Sequence, residues 1–271
     1  MPLLSTIVAI CKRIGRLDRA EQAALALKEM RPDDPEILAQ LGGILRDRGR
    51  AREAIAWCSE AIRLKPDSVV GHLNLGAALF DVGEFEGAIV CYRKALELSP
   101  SSADAQAWLG STLQVTGRIG PAIAALRKAI RARPDDALAH LNLAIALLSV
   151  GRYPEGWAEY EWRWRTANFQ RERRGYREPL WNGRRLDGRR LLVWTEQGFG
   201  DTFQFARYLP LLADRVGKGG EVILEIQPQL ARLMRGLAGV DRMVARGERL
   251  PGFDCHAPLM SLPHLFGTTL A

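Results

Sequence analysis

The sequence predicts an α solenoid of helix–turn–helix repeats, followed by a partial α/β domain built on a parallel sheet. Two residue ladders and one change of period carry that prediction. Pro32, Pro66, Pro100 and Pro134 are spaced by 34 residues, and so are Gly15, Gly49, Gly83, Gly117 and Gly151. Ala20, Ala54, Ala88 and Ala122 repeat in step, as do Leu41, Leu75, Leu109 and Leu143. Near residue 190 the helical period gives way to short apolar runs separated by helical stretches, the pattern of a parallel sheet.

Each repeated position has a physical reason. The glycines lie between two apolar-periodic runs, where one helix has to end in a left-handed residue before the next begins. The small residues allow paired helices to approach closely, and each proline closes the second helix of its unit. One such pair cannot bury its apolar face alone, so stability is collective and comes from stacking. The register resembles the tetratricopeptide-repeat (TPR) pattern of 34-residue helical hairpins. A degenerate first unit (1–34), three regular units (35–136) and an atypical last unit from Ala137 are expected. In that last unit Gly156 replaces the small alanine and an aromatic run follows. The expected division is a solenoid over 1–165, an arginine-rich connector over 166–190 and the partial α/β domain over 191–271.

In the TPR family the first helix of each unit lines a concave face that binds extended peptides, so a peptide or protein partner is implied. The sixth residue of successive units is Gln40, Asn74, Trp108 and Asn142. A carboxamide offers donors and an acceptor together, and a ladder of them can clamp a peptide backbone without reading its side chains. The alternative is that the asparagines serve only neighbouring helices, and Trp108 interrupts the ladder. In the last unit Trp157, Tyr160 and Trp164 are spaced to share a helix face. They are expected either to pack against the α/β domain or to shield the final repeat.

The net charge of +7 is local. Ten arginines between Arg163 and Arg190, against Glu172, Glu178 and Asp187, account for all of it. A nucleic-acid binder needs a broad basic face, so nucleic acid is not an expected partner, although the connector itself could meet an anionic surface. Cys11, Cys58, Cys91 and Cys255 are far apart and lack metal-ligand spacing, so neither metal nor cofactor is expected and buried thiols of a cytoplasmic protein are. The amino terminus lacks the order of a signal peptide, and no apolar run is long enough for a membrane span.

In the carboxy-terminal part, strands are expected at 191–195, 221–226, 243–245 and 253–256, with helices over 202–216 and 228–237. The first strand runs into Glu196-Gln197-Gly198-Phe199-Gly200-Asp201. Glycines at a strand's carboxyl end permit close backbone approach, and Gly198, Gly200 and the Thr202 amide could face an anion or a sugar acceptor. Asp201 is the type of residue that caps a helix, and His256 is either a pocket residue or a solvated or capping one. The string EQGFGDTFQFARYLPLLADR, with PLWNGRRLDGRRLLVW before it and LPGFDCHAPLMSLPHLFGTTL after it, resembles a GT-B glycosyltransferase module of the heptosyltransferase kind. The layout is similar to that of O-linked N-acetylglucosamine transferases. The resemblance implies a Rossmann-like fold and places a general base on the acceptor hydroxyl at Asp201. It also implies a second Rossmann-like domain for the sugar-nucleotide donor, which this chain does not reach. A scaffold carrying an inactive partial module is therefore expected, with a working glycosyltransferase as the alternative.

Overall fold

The computed structural model describes residues 2–196 and 198–269. The chain divides into two compact units, 1–146 and 147–271. The first unit is helical throughout: α1 (Pro2–Arg13), α2 (Leu17–Met30), α3 (Pro35–Asp47), α4 (Ala51–Leu64), α5 (Val69–Asp81), α6 (Phe85–Leu98), α7 (Ala103–Val115) and α8 (Ile119–Ala132). Helix α9 (Ala137–Ser149) runs from this unit into the second.

The glycine ladder does what its spacing requires. Gly15, Gly49, Gly83, Gly117 and Gly151 all have φ between +72° and +85°. Around each of them the following amide reaches back five residues, as Arg50 N does to Leu45 O and Arg118 N to Leu113 O. This closes the first helix of the hairpin and aims the chain into the second. The starts of α3, α5, α7 and α9 are fixed by a ladder that the sequence reading passed over. Asp34, Ser68, Ser102 and Asp136 accept from first-turn amides at 3.0–3.3 Å. The second helices have no such cap; α2, α4, α6 and α8 follow Arg16, Arg50, Glu84 and Arg118, none of which makes a capping side-chain bond.

Packing within a hairpin depends on the small residues. Ala20, Ala54, Ala88 and Ala122 are fully buried. A Cβ added at Gly76 would stand 2.7 Å from the Tyr92 ring, and one at Gly110 would stand 2.6 Å from Leu126. Across hairpins, α3 packs on α5 and α5 on α7, so the first helices lie side by side along one face.

The second unit begins with the end of α9 and α10 (Tyr153–Tyr160). A 3-10 turn (Glu161–Arg165) and α11 (Ala167–Gln170) follow. Four parallel strands, β1 (Arg190–Trp194), β2 (Glu221–Ile226), β3 (Arg242–Ala245) and β4 (Cys255–Pro258), form one sheet in the order β3-β2-β1-β4. Leu192 stands opposite Ile223 on one side and His256 on the other. Residues 179–181 lie along the free edge of β4, with Trp181 N donating to His256 O and His256 N to Pro179 O.

Several expected boundaries move. The helix expected over 202–216 starts earlier, as α12 (Phe199–Phe205), and continues as a 3-10 segment before α13 (Ala213–Val216). Pro210 lies in that segment and has no N–H to give to an α-helical turn. The helix expected over 228–237 is only α14 (Pro228–Ala231); turns follow, and the chain passes through Gly236 and Gly239, both at positive φ. The fourth strand begins two residues late, and Phe253 packs edge-on to Tyr176 instead. The chain closes with a 3-10 turn at Leu259–Ser261 and α15 (Leu262–Leu265). Among the described residues no helix is long and apolar enough to cross a membrane.

Candidate functional site

The amide positions on the first-helix face are tied to the preceding repeat. Asn74 Nδ2 donates to the Ala39 carbonyl at 2.8 Å, and Asn142 Nδ2 donates to Ser111 Oγ at 2.7 Å. Gly43 makes room for the first of these, since a Cβ there would sit 3.1 Å from Asn74 Nδ2. Gly43 and Ser111, which meet the two asparagines, are spaced with Ala77 at intervals of 34. Each asparagine therefore spends one N–H on the fold. Among the described residues nothing donates to either carboxamide oxygen.

Trp108 takes the intermediate place with an aromatic cluster instead of an amide bond. Its ring lies 6.0 Å from Phe80 and is stacked at 6.2 Å on Tyr92, with the Arg46 guanidinium 5.4 Å from its centroid. Arg46 also pairs with Asp47 and Asp81 on the same helices. Gln40 is exposed. Val70, Val115, Leu138 and Ile145, all on first helices, are exposed too. The face thus combines half-buried carboxamides, a tryptophan, exposed aliphatic side chains and a small charged cluster.

The second group of candidates surrounds the end of β1. Gly198 is the residue before α12 and makes no side-chain cap; Asp201 is the third residue of that helix and not its cap. The helix therefore begins three residues earlier than the capping reading requires. The Thr202 amide and hydroxyl both reach back to Gly198 O, at 3.2 and 3.3 Å, and the hydroxyl also bonds Gln227 Oε1. That amide is spent inside the turn. Gly198 and Gly200 are exposed and Asp201 half-buried, whereas Gln197 lies outside the described residues.

His256 is neither solvated nor capping. It is buried, its Nδ1 accepts from Trp194 Nε1 at 3.1 Å, and Tyr176 packs on its ring at 5.0 Å. Burial lowers its pKa, and because Nδ1 accepts from the indole, the neutral ring carries its proton on Nε2. It lines a cavity of about 560 Å³ together with Trp194 and residues of the connector.

The aromatic run divides between elements. Trp157 meets Phe205 edge-on at 5.5 Å and Trp164 meets Trp194 at 5.5 Å, so both belong to the core of the second unit. Trp164 lies in the 3-10 turn and not on the α-helix. The same turn carries the group that the sequence reading missed. Arg163 has a fully buried side chain, and its Nη2 contacts Glu196 Oε2 at 3.1 Å and Ser261 Oγ at 2.8 Å. Its Nη1 donates to Glu161 Oε1 at 2.7 Å, and Glu196 Oε1 accepts from the Met260 amide at 2.9 Å. Burial pushes the Glu196 carboxyl up to about 7, against the pull of Arg163 and that amide. In the sequence Arg163 looks like one more connector charge. Its sole distinguishing signal is its place between Trp162 and Trp164.

Burial likewise raises the Cys58 thiol to about 12 and the Cys255 thiol to about 11; all four cysteines are free and buried. Among the described residues no three His, Cys, Asp or Glu side chains gather as a metal site would need.

Comparison with known proteins agrees with the helical part. A model described as "Tetratricopeptide repeat" matches residues 12–69 and 113–161, and one described as "TPR repeat" matches 78–117. Protein FlbA of Caulobacter vibrioides is 39% identical over 90 residues, which are 33% of this chain and 15% of that protein. The chain therefore spans only a small part of that relative's length. Among solved structures, a thermophilic TPR protein of Thermus thermophilus aligns with a TM-score of 0.54 at 22% identity, covering 60% of this chain and 89% of its own. PilF of Pseudomonas aeruginosa aligns with a TM-score of 0.54 at 16% identity, covering 59% and 73%. Both likenesses concern the fold.

Proposed function

Because the chain is a tetratricopeptide-repeat protein, we propose that its first-helix face holds another polypeptide in extended form. The observation that carries this reading is the pair of asparagines at one repeat position, each with one N–H fixed to the preceding repeat and a carboxamide oxygen that nothing described donates to. Fixing the amide sets its orientation in advance, so little rotamer entropy is lost when a peptide N–H arrives. The exposed Val70, Leu138 and Ile145 on the same helices supply apolar contact for alternate side chains of the guest.

The test starts from random peptides displayed on phage and selected on the full chain, with the best one synthesised and titrated by calorimetry. Changing Asn74→Ala and Asn142→Ala together is expected to weaken binding by about 1–3 kcal/mol, the cost of unpaired peptide groups. Helical circular dichroism should be retained. Unchanged affinity for a peptide that competes at this face would rule the clamp out.

A second reading is favoured by the sheet order. Chain order runs outward from β1 through β2 to β3, while β4 lies on the other side of β1. The carboxyl ends of β1 and β4 therefore flank a topological switch point, where open α/β sheets bind ligands. Gly198 to Asp201 leave β1 at that end. This supports residues 191–271 as part of a glycosyltransferase-like module with an acceptor site at the glycine turn and Asp201 as base. Purified chain incubated with labelled sugar nucleotides and a cell-envelope extract tests it. The transferase reading expects turnover that falls about 10²–10⁴-fold in Asp201→Ala. No transfer in either protein leaves the scaffold reading alone.

A further inference from the structure

The cavity on the sheet of the second unit has a composition that neither peptide binding nor the glycine turn explains. Its wall includes three indoles, Trp164, Trp181 and Trp194, and three guanidinium side chains, Arg165, Arg173 and Arg174. None of Gly198, Gly200 or Asp201 contributes to it. Its volume of about 560 Å³ suits a small ligand and falls within the range of small-molecule sites.

Arg174 is the side chain that points to an occupant. Its guanidinium lies 5.5 Å from the Trp194 ring centroid, and Nη2 stands 3.3 Å from Glu225 Oε2. That oxygen already accepts from the Tyr176 hydroxyl. Nε and Nη2 of Arg174 are buried and form no hydrogen bond within the described structure. Glu225 answers Nη2 as an ion pair, whereas the buried Nε has no acceptor, and a buried charged donor left so calls for an anionic one. The acids on the same wall do not fill the need. The Glu161 carboxylate is taken by Arg163 and the Ser261 hydroxyl, which leaves Glu178 as the other acid on the wall.

We propose that this cavity binds a small organic anion whose carboxylate or phosphate is carried on a ring. The anionic group pairs with Arg174 and Arg173, and the ring stacks on the indoles beside them. A bare inorganic anion would leave the tryptophan surface unused. Ring and charge together use both kinds of wall.

The same chemistry is offered by an aromatic phosphate or by a sugar phosphate, and the experiment separates them. Full-length chain is titrated with phenyl phosphate, glucose 6-phosphate and inorganic phosphate, followed by tryptophan fluorescence and calorimetry. Saturable binding of at least one ring phosphate is expected, roughly tenfold or more tighter than inorganic phosphate. The tighter of the two ring compounds identifies the class. Arg174→Gln is expected to weaken it by roughly tenfold or more. Arg173→Gln, at an exposed position whose change leaves the core intact, is expected to weaken it by a smaller factor. The proposal is overturned if neither ring phosphate saturates at millimolar concentration. It is overturned equally if inorganic phosphate binds as tightly as both, or if binding survives both substitutions unchanged.

Discussion

Changing Arg163→Ala is expected to remove about 3–5 kcal/mol from the stability of the second unit, because it strands the buried Glu196 carboxylate. Arg163 has no exposed side-chain surface, and neither does Glu196. The pair joins the turn after α10 to the end of β1, and through Ser261 and the Met260 amide to the segment after β4. Loss of the cation leaves the carboxylate to be protonated or hydrated, and either outcome loosens three segments together. Urea unfolding followed by tryptophan fluorescence reads the change, since Trp157, Trp164 and Trp194 all lie in this unit. Removing both charges with Arg163→Met and Glu196→Leu should recover much of the loss. A single Arg163→Ala variant as stable as the parent would show that the pair does not hold these segments.

The same carboxyl has a consequence for pH. Its pKa in the folded protein is raised to about 7 by burial, above its ordinary value of 4.5. Between those two values the folded state holds a proton that the unfolded state has lost, so this group makes stability fall as pH rises from about 4.5 towards 7. Glu196→Gln removes the titration and should flatten that part of the stability profile. An equally steep fall in the Gln variant would place its source elsewhere.

The first unit was largely legible because its period is long and its ladders independent. Glycines at a fixed spacing acquire positive φ for a purely local steric reason, and that reason holds whatever the helices pack against. The capping ladder at residues 34, 68, 102 and 136 was as regular, but Asp and Ser share it and the side-chain oxygen, not the residue name, is what repeats. In the second unit the strands were legible as apolar runs, while helix lengths were not. Pro210 and the glycines at 236 and 239 break segments whose apolar pattern alone reads as continuous. Least legible were Arg163 and His256. Both are polar residues made interior by partners about 33 to 100 positions away, and no local pattern announces such pairings. The asparagines lie between these cases: their register was visible, but the carbonyl and hydroxyl that hold them belong to the preceding repeat.

Changing Trp194→Ala is expected to cost the second unit about 3–5 kcal/mol, the range for emptying a buried aromatic site. Trp194 is 2% exposed, ends the central strand β1 and packs with Leu192, Ile223 and Val244. It does two further things that separate substitutions can distinguish. Its Nε1 donates to His256 Nδ1, and its ring lies beside the Arg174 guanidinium. Trp194→Phe retains a ring but removes the donor, so its cost should be smaller, about 1–3 kcal/mol, from an imidazole nitrogen left unpaired in the interior. His256→Phe in that background removes the stranded acceptor and should return part of the loss, which a double-mutant cycle in urea unfolding measures as coupling between the two positions. Additive costs would mean that the indole acts through volume alone. For the anion cavity the expected order differs: Trp194→Phe preserves a stacking surface and should bind the ring phosphates better than Trp194→Ala does, even where the two variants are compared well below their unfolding midpoints.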